Sequence, residues 1–212
     1  MAHTDARESN SGFMTSVMIV SSILQKDPST ITMEDLSNST VIEYMRTLES
    51  KAVFYGKSTG FLGKYLRDNG PEDLQIAFLY ENLIQDYSAA AETKWGQKII
   101  AVYPEEGSLY SDHPFCILNS EWISADQKYV AEEYLKFLSS GQILQQAIKV
   151  GFRPLNASLL SNPDFNALYL ASFNENRGVT SDPSKIKELV APTDGTIISR
   201  IPDIWLLTRN TV

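Results

Sequence analysis

Cysteine is almost missing from this 212-residue chain: Cys116 stands alone, so no internal disulfide can form. It lies between Phe115 and Ile117, which reads as a buried structural thiol rather than a reactive one. Histidine is nearly as scarce, with only His3 and His113. A hydrolase needs a nucleophile, a base and an orienting acid, and no Gly-x-Ser-x-Gly elbow is present. His113, beside Pro114, reads as a turn residue. Two isolated histidines and one cysteine make no transition-metal cluster, so neither a metal nor a cofactor is expected. Positive charge is also in short supply, 18 Lys and Arg against 26 Asp and Glu, for a net charge of -8. Without a basic stripe to neutralise phosphates, nucleic-acid binding is excluded. The longest apolar-leaning run, residues 13–24, is interrupted by Thr15, Ser16, Ser21 and Ser22, too short and polar to span a bilayer. It also lacks the basic flank of a signal peptide.

What is present suits a folded protein: hydrophobic content of 43% and charged content of 21% leave material for a sizeable core. A polar loop over residues 3–12 is expected to feed a helix over 11–25, with Phe13, Val17, Val20 and Leu24 at helical spacing. Residues 40–51 predict a second helix, 52–55 a short strand, and Ser58-Thr59 the start of a third helix stopped by Asn69-Gly70-Pro71. Near-continuous apolar residues predict strands over 74–79, 98–103 and 114–118. A capping box at Ser124-Ala125-Asp126-Gln127 opens an amphipathic helix carrying Val130, Tyr134, Phe137 and Leu138. Another helix ends at Gly151. Beyond Asn162-Pro163 the pattern weakens, and residues 197–207 are ambiguous. Strands alternating with helices give an α/β class, with a boundary expected near Ser111 where the reading turns mainly helical.

Arg7-Glu8-Ser9-Asn10-Ser11-Gly12, immediately before a helix, is the most informative stretch. Unpaired amides and the positive end of the helix dipole make a helix start receptive to an anion. Ser9 and Ser11 add hydroxyls, Arg7 offers a two-pronged donor, and Gly12 permits close backbone approach. The plainer alternative is an N-cap with no ligand. Gly56-Lys57-Ser58-Thr59-Gly60 repeats the arrangement with Ser58 and Thr59. It is not a phosphate-binding P-loop, which needs a further glycine upstream, where Ala52 and its neighbours stand. Tyr80 and Glu81 follow an expected strand and so sit at its carboxyl end, where open α/β sheets place ligands; Tyr103 is a similar candidate. Glu81 serves equally well as a partner for its own helix N-terminus.

Taken in order, several segments resemble bacterial extracellular solute-binding proteins of ABC transporters, the type II periplasmic binding proteins. They are His3-Thr4-Asp5 through Gly12, Tyr55 through Gly60, Phe78-Leu79-Tyr80-Glu81-Asn82, Val102-Tyr103-Pro104-Glu105-Glu106-Gly107, His113-Pro114-Phe115 and Gly151-Phe152-Arg153-Pro154. The stretch Arg7 to Gly12 is similar to the helix start by which phosphate binders of that group hold their anion, which carries over to Arg7, Ser11 and Gly12. Where the family has an acidic residue and a closing threonine, Ser9 and Phe13 stand here. A differently protonated oxyanion or another solute is therefore open.

The resemblance implies an α/β, type II periplasmic-binding-protein-like fold. It divides into one complete lobe (3–110), a partial and mainly helical second lobe (111–170), and a C-terminal extension or linker (171–212). An upstream βα segment of the partial lobe would then be missing. The function implied is non-enzymatic capture of a small-molecule or anion ligand in an interlobe cleft, in the periplasm or at the cell surface. A transporter permease is the implied partner. Residues 197–209 resemble the stretch joining such modules to a von Willebrand factor type A domain, so that domain is a second candidate neighbour. A half-built cleft would leave apolar surface for a homodimer, and a ligand-free scaffold module is the alternative.

Overall fold

The structure, a computed structural model, describes residues 1–210. Along the chain run β1 (Ala2–Thr4), α1 (Asn10–Leu24), α2 (Met33–Leu36), α3 (Ser39–Glu49), β2 (Phe54–Gly56), α4 (Thr59–Asn69) and α5 (Glu81–Trp95). There follow β3 (Ser108–Leu109), α6 (Ala125–Leu138), α7 (Gly141–Lys149), α8 (Pro163–Ser172), β4 (Glu188–Leu189) and α9 (Gly195–Thr208). The class is mixed α/β with helices dominant. The chain divides into two compact units, residues 1–110 together with the segment from Glu175 onward, and residues 111–174.

In the first unit the centre is β1, where the sequence reading expects a loop. It pairs in parallel with β2 on one side, Ala2 opposite Phe54 and Thr4 opposite Gly56. On its other side Ala2 bridges Ala77, with Ala2 N–H donating to the Ile76 carbonyl and Phe78 N–H donating to the Ala2 carbonyl. The order is therefore β2, β1, then residues 76–78. Successive strand residues point to opposite faces. Ala2 and Phe54 accordingly join Leu62, Tyr65 and Leu74 beneath α4. Tyr55 joins the larger cluster built from Val17 and Val20 of α1, Met45 of α3, and Ile201 and Trp205 of α9.

His3 belongs in this core because its polar atoms are matched. Its Nδ1 donates to the Thr4 carbonyl at 2.8 Å, and its Nε2 faces both oxygens of Glu49 at 3.0 and 3.1 Å. Glu49 also accepts from the Tyr55 hydroxyl at 2.7 Å, and both His3 and Glu49 are fully buried. A buried charge or dipole is tolerated when its hydrogen-bond sites are filled. The hydroxyls of α1 follow the same logic: Thr15 and Ser16 donate back to the carbonyls of Ser11 and Gly12, so a serine-rich helix can lie in the interior.

Several expectations change. Residues 74–79 supply only the single bridge at Ala77. No strand forms over 98–103 or 114–118. An apolar run becomes a strand only beside a ladder partner, and residues 98–103 find one main-chain bond, from Ala101 N–H to the Gly178 carbonyl. Ile100 and Val102 stay exposed. Cys116, in the unpaired 114–118 stretch, is exposed rather than buried. The segment expected as an extension or linker supplies β4, paired with β3, and α9, whose Ile197, Ile201, Ile204 and Trp205 are core residues. Its last two positions, 211–212, lie outside the described residues.

In the second unit α7 and α8 pack together, and Ile148 of α7 is buried. The Arg153 guanidinium lies 4.4 Å from the Phe173 ring centroid and donates to the Tyr169 hydroxyl. The capping box at Ser124 and Gln127 forms with both of its hydrogen bonds. Yet α6 buries no residue, and Val130, Tyr134 and Phe137 are more than half exposed.

Candidate functional site

The opposed connections of β1 and β2 create a crevice. From β1 the chain turns into α1, which packs on the Tyr55 face; from β2 it turns into α4, which packs on the Phe54 face. Ligands of open α/β sheets bind outside the carboxyl ends of the strands. The two hydroxyl-rich helix starts singled out in the sequence are the ones that meet at this place.

Their contact is direct. Ser11 Oγ shares hydrogen bonds with Thr59 Oγ1 at 2.5 Å and with Thr4 Oγ1 at 2.7 Å. Ser9 Oγ lies 3.2 Å from Ser11 Oγ and 3.4 Å from Thr59 Oγ1. Gly12 makes the approach possible: a Cβ there would stand 2.2 Å from the Thr4 carbonyl oxygen. The hydroxyls tie the two helix starts together. Main-chain donors remain, since Ser9 makes no side-chain cap and, among the described residues, the N–H groups of Ser11 and Gly12 have no acceptor. Both residues are buried, and buried main-chain donors are rarely left unpaired.

The other candidates divide. Ser58 caps its own helix, its oxygen accepting from Phe61 N–H at 3.3 Å. Tyr80 joins the site, its hydroxyl accepting from Asn10 Nδ2 at 3.0 Å. Glu81 and Tyr103 pair with each other, and the Tyr103 hydroxyl accepts from Thr180 N–H at 3.1 Å. Arg7 turns toward its own loop: Nε and Nη2 donate to the two oxygens of Asp5 at 3.2 and 2.9 Å, and Arg7 N–H donates at 2.8 Å. Burial pulls the Asp5 carboxyl upward, but the Arg7 hydrogen bonds and the charges of Arg7 and Arg209 together hold it below the usual carboxylate range.

Thr4, Asp5 and Arg209 were not singled out in the sequence. Thr4 and Asp5 lie in the stretch read as a loop, one and two residues beyond the histidine whose burial reveals the strand. Arg209 follows α9, a helix that holds an internal proline, Pro202, beside its buried stripe. It brings Nη1 to 3.8 Å from Asp5 Oδ2. A hollow of about 300 Å³ opens beside Asp5, with Glu8, Gly56, Lys57 and Arg209 in its wall. The serine and threonine cluster does not line this hollow. Among the described residues no group of three His, Cys, Asp or Glu side chains is placed to hold a metal ion. No helix among them is long and apolar enough to cross a membrane.

Comparison of the chain with models of protein families, with curated proteins and with solved structures finds no match.

Proposed function

We propose that this chain is a non-enzymatic binding module that captures a small polar solute, an oxyanion foremost, at the carboxyl ends of β1 and β2. The observation that carries the reading is the 2.5 Å contact between Ser11 and Thr59, which brings two helix starts to one crevice. Unpaired main-chain N–H groups at a helix start, reinforced by its dipole, are fixed donors that need no reorganisation to receive an anion. On this reading Ser11 and Gly12 supply amide donors, Ser9 and Thr59 supply hydroxyls, and Tyr80 and Asn10 form an edge. Arg7 and Asp5 hold the loop that presents them. The sheet order β2, β1, 76–78 supports the finer assignment to a type II solute-binding lobe. Under that assignment the module works outside the cytoplasm, beside a transporter permease or a von Willebrand factor type A domain.

A thermal-shift panel of phosphate, sulfate, molybdate, amino acids and sugars tests the proposal. A ligand at a hundred times its dissociation constant adds about 2.7 kcal/mol. For a chain of this size that raises the melting temperature by about 5–10 °C. The shift should shrink in Ser11→Ala and in Thr59→Val. A panel with no shift, or a shift indifferent to both variants, overturns the reading.

One observation favours a second reading, an interaction module that binds protein rather than solute. Trp122, Val130 and Phe137 of the second unit are 71%, 63% and 53% exposed. Such apolar exposure marks surfaces that associate. A chain that is monomeric by light scattering at millimolar concentration, and that responds to solutes, disfavours it.

A further inference from the structure

Two arginines flank Asp5, and their hydrogen bonding separates them. Arg7 closes its fork onto the carboxylate. Arg209 does not. Its Nη1 stands 3.8 Å from Asp5 Oδ2, an ion pair too long for a hydrogen bond, and its guanidinium donates no hydrogen bond among the described residues. Five N–H donors in a fixed planar fork are thus uncommitted. The side chain is nevertheless held in place. Its guanidinium lies 5.4 Å from the centroid of the fully buried Trp205 ring, and its side chain is only 34% exposed. The main chain around it is pinned: Arg209 N–H donates to the Trp205 carbonyl at 2.8 Å, and Asn210 N–H donates to the Tyr55 hydroxyl at 3.0 Å.

The fork borders the hollow of about 300 Å³, a volume that suits a small solute, and the hollow adjoins the start of α1 through Asp5, whose carbonyl oxygen would stand 2.8 Å from a Cβ at Gly12. Lys57 lines the same hollow, and among the described residues its ammonium has no ion pair or hydrogen bond. Two cations, Lys57 and Arg209, and two carboxylates, Asp5 and Glu8, line the hollow, and Arg7 adds a third cation behind Asp5. The neighbourhood carries one positive charge in excess, on a chain whose net charge is -8. Asp5 is already matched by Arg7, so the excess rests on Lys57 and Arg209.

We propose that Arg209 is a specificity-determining residue of the solute site, its fork and the Lys57 ammonium taking the oxyanionic end of the ligand, a carboxylate, phosphate or sulfate group. This inference rests on the binding reading given above and names the charge class of its ligand. A planar fork matches two oxygens of such a group at once, which an ammonium alone does not. The main-chain donors at Ser11 and Gly12 act on any polar solute, whereas Arg209 selects for negative charge.

The test is titration calorimetry on the full chain with inorganic phosphate, sodium sulfate, L-glutamate and, as a neutral probe, glucose. Wild type is compared with Arg209→Gln, Arg209→Lys and Ser11→Ala, each checked by its urea midpoint. Loss of a charge-assisted contact predicts that Arg209→Gln weakens the preferred oxyanion about ten-fold or more. Arg209→Lys keeps the charge, loses the fork and falls between. Ser11→Ala weakens every ligand that binds. If Ser11→Ala weakens binding while Arg209→Gln binds as wild type does, the role of Arg209 is overturned and the binding reading stands. If only glucose binds, the charge class is wrong while the site survives. If wild type binds nothing, both fall. Where Arg209→Gln lowers the urea midpoint, Arg209→Lys decides, and undiminished oxyanion affinity in that variant overturns the proposal.

Discussion

Replacing Gly12 by alanine probes the seating of α1 on β1, and the sign of its effect is informative. In an exposed helix interior this change stabilises by about 1 kcal/mol, because glycine leaves the backbone more entropy to lose. At Gly12 the new Cβ would stand 2.2 Å from the Thr4 carbonyl oxygen and 2.8 Å from both the carbonyl carbon and oxygen of Asp5. These are main-chain atoms, so no side chain can swing aside. Carbon contacts are most favourable at about 3.5–4.0 Å, so α1 must withdraw by on the order of 1 Å. That movement stretches the 2.7 Å hydrogen bond between Thr4 and Ser11. Because the obstacles are main-chain atoms, the cost falls in the upper part of the usual range for overpacking, about 2–3 kcal/mol, and outweighs the propensity gain. The expected net loss of about 1–2 kcal/mol lowers the melting temperature by about 2–8 °C. Gly60→Ala is the matched control in the first turn of α4, where nothing lies within 4 Å of an added Cβ. It should be neutral or slightly stabilising. Urea unfolding of the two variants gives the answer. If Gly12→Ala proves as stable as wild type, α1 is not seated against the end of β1, and the crevice described here does not exist in that form.

Two further outcomes follow from the same unit. The Asp5 carboxyl is held below its unfolded value of about 3.9, so its contribution is present above that pH and is lost as pH falls through the lower folded value. The stability gap between wild type and Asp5→Asn should therefore be constant above about pH 5 and shrink toward pH 2; a gap that does not shrink refutes the pairing. Deleting the chain from Asp194 onward removes Ile197, Ile201, Ile204 and Trp205, all at most 3% exposed. At about 1.5–3 kcal/mol each, their loss rivals the whole stability of an ordinary domain, about 5–15 kcal/mol. The shortened chain should lose its near-ultraviolet dichroism and be rapidly proteolysed. A shortened chain that stays folded would show that α9 is an appendage.

What could be read from the sequence, and what could not, follows the range of the interactions responsible. Helices announced themselves through caps and spacing that lie within a few residues, and α1, α3, α4 and α6 stand close to where Val17, Met45, Leu62 and the box at Ser124 put them. The hydroxyls of Ser9, Ser11 and Thr59 were legible for the same reason, since helix starts are local objects. β1 was not, because His3-Thr4-Asp5 looks polar until Glu49 and Tyr55 fill the hydrogen-bonding sites of His3. The opposite error arose at residues 98–103, where an apolar run looked like a strand but no neighbouring ladder was there to complete it. Arg7 and Arg209 bring the two cases together. A sequence window showed an arginine two residues from an aspartate and assigned its fork to an incoming anion, although proximity along the chain is what lets that aspartate consume it. The uncommitted fork arrives from the far end of the chain, placed by Trp205 in the core and by Asn210 on Tyr55. Local chemistry can thus name the kinds of donor a site will use. Which individual donor is left for a ligand depends on pairings between distant segments, and those same pairings set the order of the sheet.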